Sequence, residues 1–196
     1  IEIDFDNKKK FFFINDNFQS NIYNILSALA VVSIYKDIFK LKDDIFLDFK
    51  IPDGRGDYSV IKINNKRINL IDQSYNSNPL SLKSAIKNYD IIDSKKSKKY
   101  LLLGDMLELG NHSKKLHQSI IPLINHTNID KIYVKGKMIK SVFKGISTTK
   151  KGRIFINKSE MIQFIRNDLK NDDYLMIKAS LATGFNSIVK DLKGIN

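Results

Sequence analysis

The sequence predicts an α/β domain with a mostly parallel sheet covered by helices, preceded by the tail of another domain. Two observations carry this. From residue 58 onward, short β-rich runs alternate with helical segments, the pattern of a parallel sheet with helices on its faces. Ahead of that alternation, Ile51-Pro52-Asp53-Gly54-Arg55-Gly56 breaks the chain where neither Pro nor Gly continues a helix, and a domain boundary is expected there.

Taken in order, residues 20–36 read as a helix. Ser20 or Asn21 can cap it, and Ile22, Ile25, Leu26, Leu29 and Val32 follow the three-and-four spacing of one buried face. Tyr58–Ile63 and Arg67–Asp72 read as strands joined at Asn64-Asn65. Pro79–Ile92 reads as a helix and Tyr100–Gly104 as a buried strand. Ser113–Ile124 is expected to be helical, with Pro122 near its end. Strand Lys131–Val134, helix Lys137–Phe143, strand Arg153–Ile156, helix Lys158–Leu169, strand Tyr174–Ile177 and helix Gly184–Leu192 complete the alternation. Ligands of such sheets bind beyond the C-terminal strand ends.

Composition narrows the function. The chain has 196 residues, 42% hydrophobic and 28% charged, ordinary for a globular protein. Without cysteine it has no disulfide and no thiolate metal site, which fits a reducing, cytoplasmic location. No signal-peptide pattern opens it, and the longest apolar stretch, around Ile25–Tyr35, is well short of the roughly 20 residues that span a bilayer. The formal charge of +12 comes almost wholly from dispersed lysines, with only Arg55, Arg67, Arg153 and Arg166 as arginines. That distribution favours solvated faces over a nucleic-acid surface. Lys95–Lys99 reads as a polar loop.

Three strand ends could carry chemistry. In Asp72-Gln73-Ser74-Tyr75-Asn76-Ser77-Asn78-Pro79, a turn and helix cap account for Asn78 and Pro79. They leave Asp72, Tyr75 and Asn76 unexplained: an acidic residue at a strand end can accept ribose hydroxyls, and Tyr75 and Asn76 offer a flat face and an amide to a base or sugar. Leu103–Gly110 carries Asp105 and Glu108, which suit either a helix N-terminus or a substrate contact. In Ile177–Gly184, Lys178 and Ser180 are either a solvated lysine and a cap, or an anion-holding pair. There is no phosphate-cradling G-x-x-x-x-G-K-[ST] run and no G-x-G-x-x-G. His112, His117 and His126 lack metal-ligand spacing and read as surface or capping residues.

These segments, in this order and spacing, resemble the Mur ligase family. Asp72–Pro79 is similar to D-x-S-Y-N-x-N-P, and Leu103–Gly110 to L-G-D-M-x-E-L-G. Lys178-Ala179-Ser180 is similar to K-G-S with Ala179 for glycine. Asn21–Ala28 is similar to the H-N-x-x-N-x-L-A-A helix, with Ser20 where histidine is usual, and Gly54-Arg55-Gly56 resembles an interdomain hinge. His117 falls where a histidine is frequent.

The resemblance implies that residues 1–52 end a central ATP-binding domain and 53–196 form a Rossmann-like C-terminal domain. It implies ATP and Mg2+ as cofactors, with the phosphate loop and metal ligands upstream of Ile1, and a part that is inactive alone. The implied reaction joins D-alanyl-D-alanine to UDP-N-acetylmuramoyl-tripeptide through an acyl phosphate. A monomer is expected, with no nucleic-acid partner and no membrane insertion. By the same resemblance Asn21 and Asn24 approach adenine, Arg55 the ATP phosphates and Asp72 the ribose. Tyr75 and Asn76 line the nucleotide side, while Asp105, Lys178 and Ser180 face the substrate. Another amino acid ligase of the family, or a non-catalytic basic module binding nucleic acid, are the alternatives.

Overall fold

A computed structural model describes residues 1–14, 19–48 and 51–194; the side chains of residues 19–21 lie outside that description. The chain divides into two compact units, Ile1–Lys50 and Ile51–Asn196.

The first unit opens with a hairpin of β1 (Glu2–Phe5) and β2 (Lys8–Phe11), which the sequence reading lacked. Its two-residue turn, Asp6-Asn7, has φ of 54° and 59°, which lets the turn twist match the strand twist. Helix α1 (Gln19–Ser33) follows, so Ser20 and Asn21 lie inside its first turn and not ahead of it. Ile25 and Leu29 pack with Ile3, Phe12 and Ile38, whereas Leu26, expected on the same face, is exposed.

In the second unit, β3 (Asp57–Ile63) and β4 (Lys66–Gln73) form an antiparallel hairpin through Asn64-Asn65, both at positive φ. After them come α2 (Pro79–Asp90), β5 (Lys99–Gly104), α3 (Ser113–Gln118), α4 (Ile121–His126) and β6 (Lys131–Lys135). Helix α5 (Lys140–Gly145), β7 (Lys151–Ile154), α6 (Lys158–Asp168), β8 (Tyr174–Lys178) and α7 (Phe185–Lys193) complete the unit. The six strands lie in the order β3-β4-β8-β5-β6-β7, and every pair but β3–β4 is parallel.

Alternate residues of each strand face opposite layers. Leu102, Tyr100, Leu175 and Ile177 pack with Met161 and Ile165 of α6 and with Phe185, Ile188 and Leu192 of α7. Leu101, Leu103 and Met176 pack on the other face, against Leu82 and Ile86 of α2, Ile124 of α4 and Val142 of α5. All six residues of β5 are buried, as expected of a central parallel strand.

Three expectations shift. The single helix over 113–124 is two, because the Pro122 ring cannot sit within a continuous helix but suits the first turn of α4. Strand β7 starts at Lys151, two residues early; Phe155 beyond its end is buried in the core while Ile156 is exposed. Lys99 belongs to β5 and not to a polar loop.

Several lysines close the carbonyl ends of this unit's own helices and turns. Lys99 Nζ donates to Asp90 O and Ile92 O after α2, and Lys66 Nζ to Leu169 O at 2.7 Å after α6. Lys150 Nζ donates to Thr127 O and Ile129 O after α4, and Lys131 Nζ to Thr149 O. Each ammonium satisfies carbonyls at the end of a helix or in the turn beyond it. Among the described residues, no helix is long and apolar enough to cross a membrane.

Replacing a central leucine should leave a cavity that the flanking layers cannot fill. Leu102→Ala is expected to lower the unfolding free energy by about 2–5 kcal/mol, whereas the exposed Leu80→Ala should change it by less than about 0.5 kcal/mol. Urea unfolding followed by circular dichroism separates the two.

Candidate functional site at the strand ends

The parallel register sets the site. Gln73 of β4 lies beside Lys178 of β8, and Lys178 beside Leu103 of β5, so three loops leave the sheet at one level. The loop after β4 leads into α2, whose start is fixed by a reciprocal cap. Asn78 Oδ1 accepts the Ser81 N–H at 2.8 Å, Ser81 Oγ accepts the Asn78 N–H at 3.1 Å, and Pro79 occupies the first turn.

Asp72 is buried at the end of β4, with one carboxylate oxygen accepting the Ser74 N–H at 2.9 Å. Burial pushes its carboxyl above the usual 3.8; bonds from Ser74 oppose this, Asp57 adds to it and Lys193 opposes it. The Gly54-Arg55-Gly56 loop lies against the same edge. Gly56 N–H donates to Asp72 O at 2.7 Å, and Tyr75 N–H donates to Gly54 O at 3.0 Å. Gly54 has φ of 75°, and a side chain there would meet the Tyr75 backbone nitrogen at 2.9 Å. The exposed Arg55 stacks on the exposed Tyr75 ring, guanidinium carbon to centroid 4.1 Å.

Lys178 is the unusual group. It is 2% exposed, and its Nζ donates to Asn76 O at 2.9 Å. Desolvation lowers its pKa from 10.5 to about 8. The bond ties β8 to the Tyr75-Asn76 turn, where Asn76 is itself exposed.

Ser180 acts as a staple. Its hydroxyl donates to Ser77 O at 3.2 Å and accepts the Leu107 N–H at 3.0 Å, joining the loops after β4 and β5. A short 3-10 turn, Leu181–Thr183, separates it from α7, so it does not cap that helix. Ser77 Oγ, enclosed beside it, has no hydrogen-bond partner among the described residues.

Asp105 spends its carboxylate on backbone. It accepts the N–H groups of Lys137, Met138 and Ile139 at 2.8, 3.0 and 2.7 Å, which holds these residues as a turn and delays α5 to Lys140. Gly136 makes room: at φ 152°, a Cβ would fall 2.4 Å from the carboxylate. His117, read from sequence as a surface or capping residue, is fully buried. Its Nε2 accepts the Met106 N–H at 2.9 Å and its Nδ1 lies 2.7 Å from Ser113 O, an arrangement that puts the ring proton on Nδ1. The polar run Ser113-Lys114-Lys115-Leu116-His117-Gln118-Ser119 around it reads as a solvated helix face, so its burial is not evident from local pattern.

The structure thus brings Arg55, Asp72, Tyr75, Asn76, Lys178, Ser180 and Asp105 to one sheet edge of the second unit. Asn24 is exposed on α1 in the first unit, and the Asn21 side chain lies outside the described residues. Asp57, which the sequence reading passed over, accepts the Gly54 N–H at 2.7 Å. An Asp closing a Gly-containing turn was its only signal. Among the described residues, no three His, Asp or Glu side chains are grouped to hold a metal ion.

A mostly parallel α/β sheet with polar loops converging at its C-terminal edge is of the doubly wound class, whose members bind ligands at that edge. Residues 59–181 match the description "Mur ligase, glutamate ligase domain", and the chain belongs to the Mur ligase family. It is similar to the UDP-N-acetylmuramoyl-tripeptide–D-alanyl-D-alanine ligase of Buchnera aphidicola subsp. Acyrthosiphon pisum, 32% identical over 174 residues, which are 88% of this chain and 36% of that protein. The ligase of the same name from Rickettsia prowazekii is 28% identical over 177 residues, 90% of this chain and 37% of that one. The chain therefore spans little more than a third of the length of these relatives. The crystal structure of MurF ligase from Thermotoga maritima in complex with ADP shares the fold, with a TM-score of 0.77 at 18% identity, covering 99% of this chain and 43% of that one. A MurF crystal structure from Acinetobacter baumannii aligns with a TM-score of 0.73 at 19% identity, covering 95% and 40%.

Lys178 gives this site a pH signature. The unfolded lysine keeps its proton up to about 10.5 whereas the buried one releases it near 8. Between these values the unfolded chain binds more protons, so rising pH favours the folded state. Urea unfolding at pH 7, 8.5 and 10 should show the wild type gaining stability relative to Lys178→Met across that window. A constant difference between the two proteins would mean that Lys178 titrates as an ordinary surface lysine.

Proposed function

We propose that the chain is the C-terminal part of an ATP-dependent amide ligase that joins D-alanyl-D-alanine to UDP-N-acetylmuramoyl-tripeptide in peptidoglycan precursor synthesis. The observation that carries this is the meeting of Asp72–Pro79, Leu103–Gly110 and Lys178–Ser180 on neighbouring strands, with Arg55 against them. The names of the relatives supply the substrates.

In this reading the substrate carboxylate takes the γ-phosphoryl group of ATP to give an acyl phosphate. The dipeptide amine attacks its carbonyl, the amide forms and phosphate leaves. Positioning and charge stabilisation are the protein's main contributions. Asp72 is assigned to the ribose hydroxyls, and Tyr75 and Asn76 to the nucleotide side. Arg55 is assigned to the phosphates: its stacking on Tyr75 is worth about 0.5–1 kcal/mol at an exposed site, little enough to exchange for a paired contact with phosphate oxygens. Lys178 and Ser180 hold the turn that faces the acceptor, and Asp105 supports them by fixing the neighbouring loop. Asn21 and Asn24 are assigned to adenine.

Residues 1–52 are assigned to the end of the ATP-binding domain and 53–196 to the C-terminal domain. The phosphate loop and the Mg2+ ligands are assigned to sequence outside these residues. The reading also takes the enzyme to be a cytoplasmic monomer with roles in cell shape and division. A nucleic-acid partner is disfavoured by the lysines already bound to helix carbonyls.

Steady-state phosphate release by the full-length protein tests the reading. Dependence on D-alanyl-D-alanine, and not on single D- or L-amino acids, is expected; preference for a single amino acid would reassign it to another ligase of the family. Asp72→Ala should raise the KM for ATP about tenfold or more and leave the KM for the dipeptide nearly unchanged. Arg55→Ala and Arg55→Lys should both lower kcat, since lysine keeps the charge but not the planar pair of donors.

A further inference from the structure

The Gly54-Arg55-Gly56 loop is held by more than its glycines. The Asp57 carboxylate spans two elements: Oδ1 accepts the Gly54 N–H at 2.7 Å, and Oδ2 pairs with Lys193 Nζ at 2.8 Å in the last turn of α7. Both side chains are largely shielded, 17% and 16% exposed. From the other side, Gly54 O accepts the Tyr75 N–H and Gly56 N–H donates to Asp72 O. The loop is thus anchored at Gly54 N, Gly54 O and Gly56 N, while Arg55 between them is exposed.

Asp57 also lies directly opposite Asp72 in the β3–β4 register, so two carboxylates share the strand end. Lys193 offsets that repulsion: it opposes the rise that burial and Asp57 impose on the Asp72 carboxyl.

We propose that Asp57, held by Lys193, is a positioning residue that sets the Arg55 loop for phosphoryl transfer. This rests on the assignment of Arg55 to the ATP phosphates. A misplacement of about 1 Å can cost up to about a hundredfold in rate, and Asp57 fixes the backbone one residue from Arg55. Its effect belongs on kcat, because it touches the loop and not the ligand. The pair also links the end of α7, the last helix of the unit, to the front of the site.

The test is phosphate release by the full-length protein. Asp57→Ala should lower kcat about tenfold while leaving the KM for ATP within about twofold. Asp57→Asn, which keeps an oxygen for the Gly54 N–H, should recover kcat to within about threefold of wild type. In an Arg55→Ala background, Asp57→Ala should add less than about twofold, since the two act as one unit. Full activity of Asp57→Ala beside an impaired Arg55→Ala overturns this inference and leaves the Arg55 assignment standing. Additive losses in the double variant overturn it as well. An unimpaired Arg55→Ala removes the assignment itself. Should Asp57→Ala fail to fold, Lys193→Met decides: a kcat loss that vanishes in the Arg55→Ala background supports the inference, and one that persists there overturns it.

Discussion

Gln73, Lys178 and Leu103 lie side by side because parallel hydrogen bonds lock β4, β8 and β5 in that register. Everything at the site edge depends on this. Slipping β8 by one residue would turn Ile177 out of its layer and point Lys178 into the core. The buried run Leu175–Ile177 of β8 penalises any such slip, because each of these side chains contributes about 1.5–3 kcal/mol of burial. Apolar packing in the middle of the sheet thereby fixes polar groups at its end.

Those polar groups then hold one another. Ser180 ties the β4 and β5 loops, Asp105 ties the β5 and β6 loops, and His117 closes the back of the β5 loop. Most of these bonds go to backbone N–H and C=O groups, which keeps buried peptide groups satisfied while fixing loop shape. Loops held in this way present their exposed members, Arg55, Tyr75 and Asn76, without the ordering cost that free loops would incur on binding.

The alternation of elements was legible because each buried strand is a short apolar run bounded by turn residues, as in Tyr100–Gly104. The strand-end positions of Asp72, Lys178 and Ser180 followed from the same pattern. What escaped the sequence depends on distant partners or on short elements. The β1–β2 hairpin has strands of four residues, too brief for alternation to decide. Pro122 permits either the end of one helix or the start of the next. Asp105 suits a helix N-terminus or a substrate contact by sequence, and the three amides it accepts, with Gly136 making room, lie more than thirty residues away. Asp57 and Lys193 are 136 residues apart, and their pairing depends on where α7 returns to the sheet.

The lysine-to-carbonyl bonds bear on how the +12 charge should be understood. Lys66, Lys99, Lys131 and Lys150 direct their ammonium groups at the ends of their own unit's helices and turns. These four ammonium groups are thus committed to backbone oxygens, and a polyanion approaching the molecule would have to compete with those carbonyls for them. The same wiring makes the fold sensitive to reagents that neutralise amines. Acetylating or carbamylating these four positions would strip donors from helix termini and loosen the edge of the sheet opposite the site, a kind of damage that ordinary surface lysines would absorb without consequence.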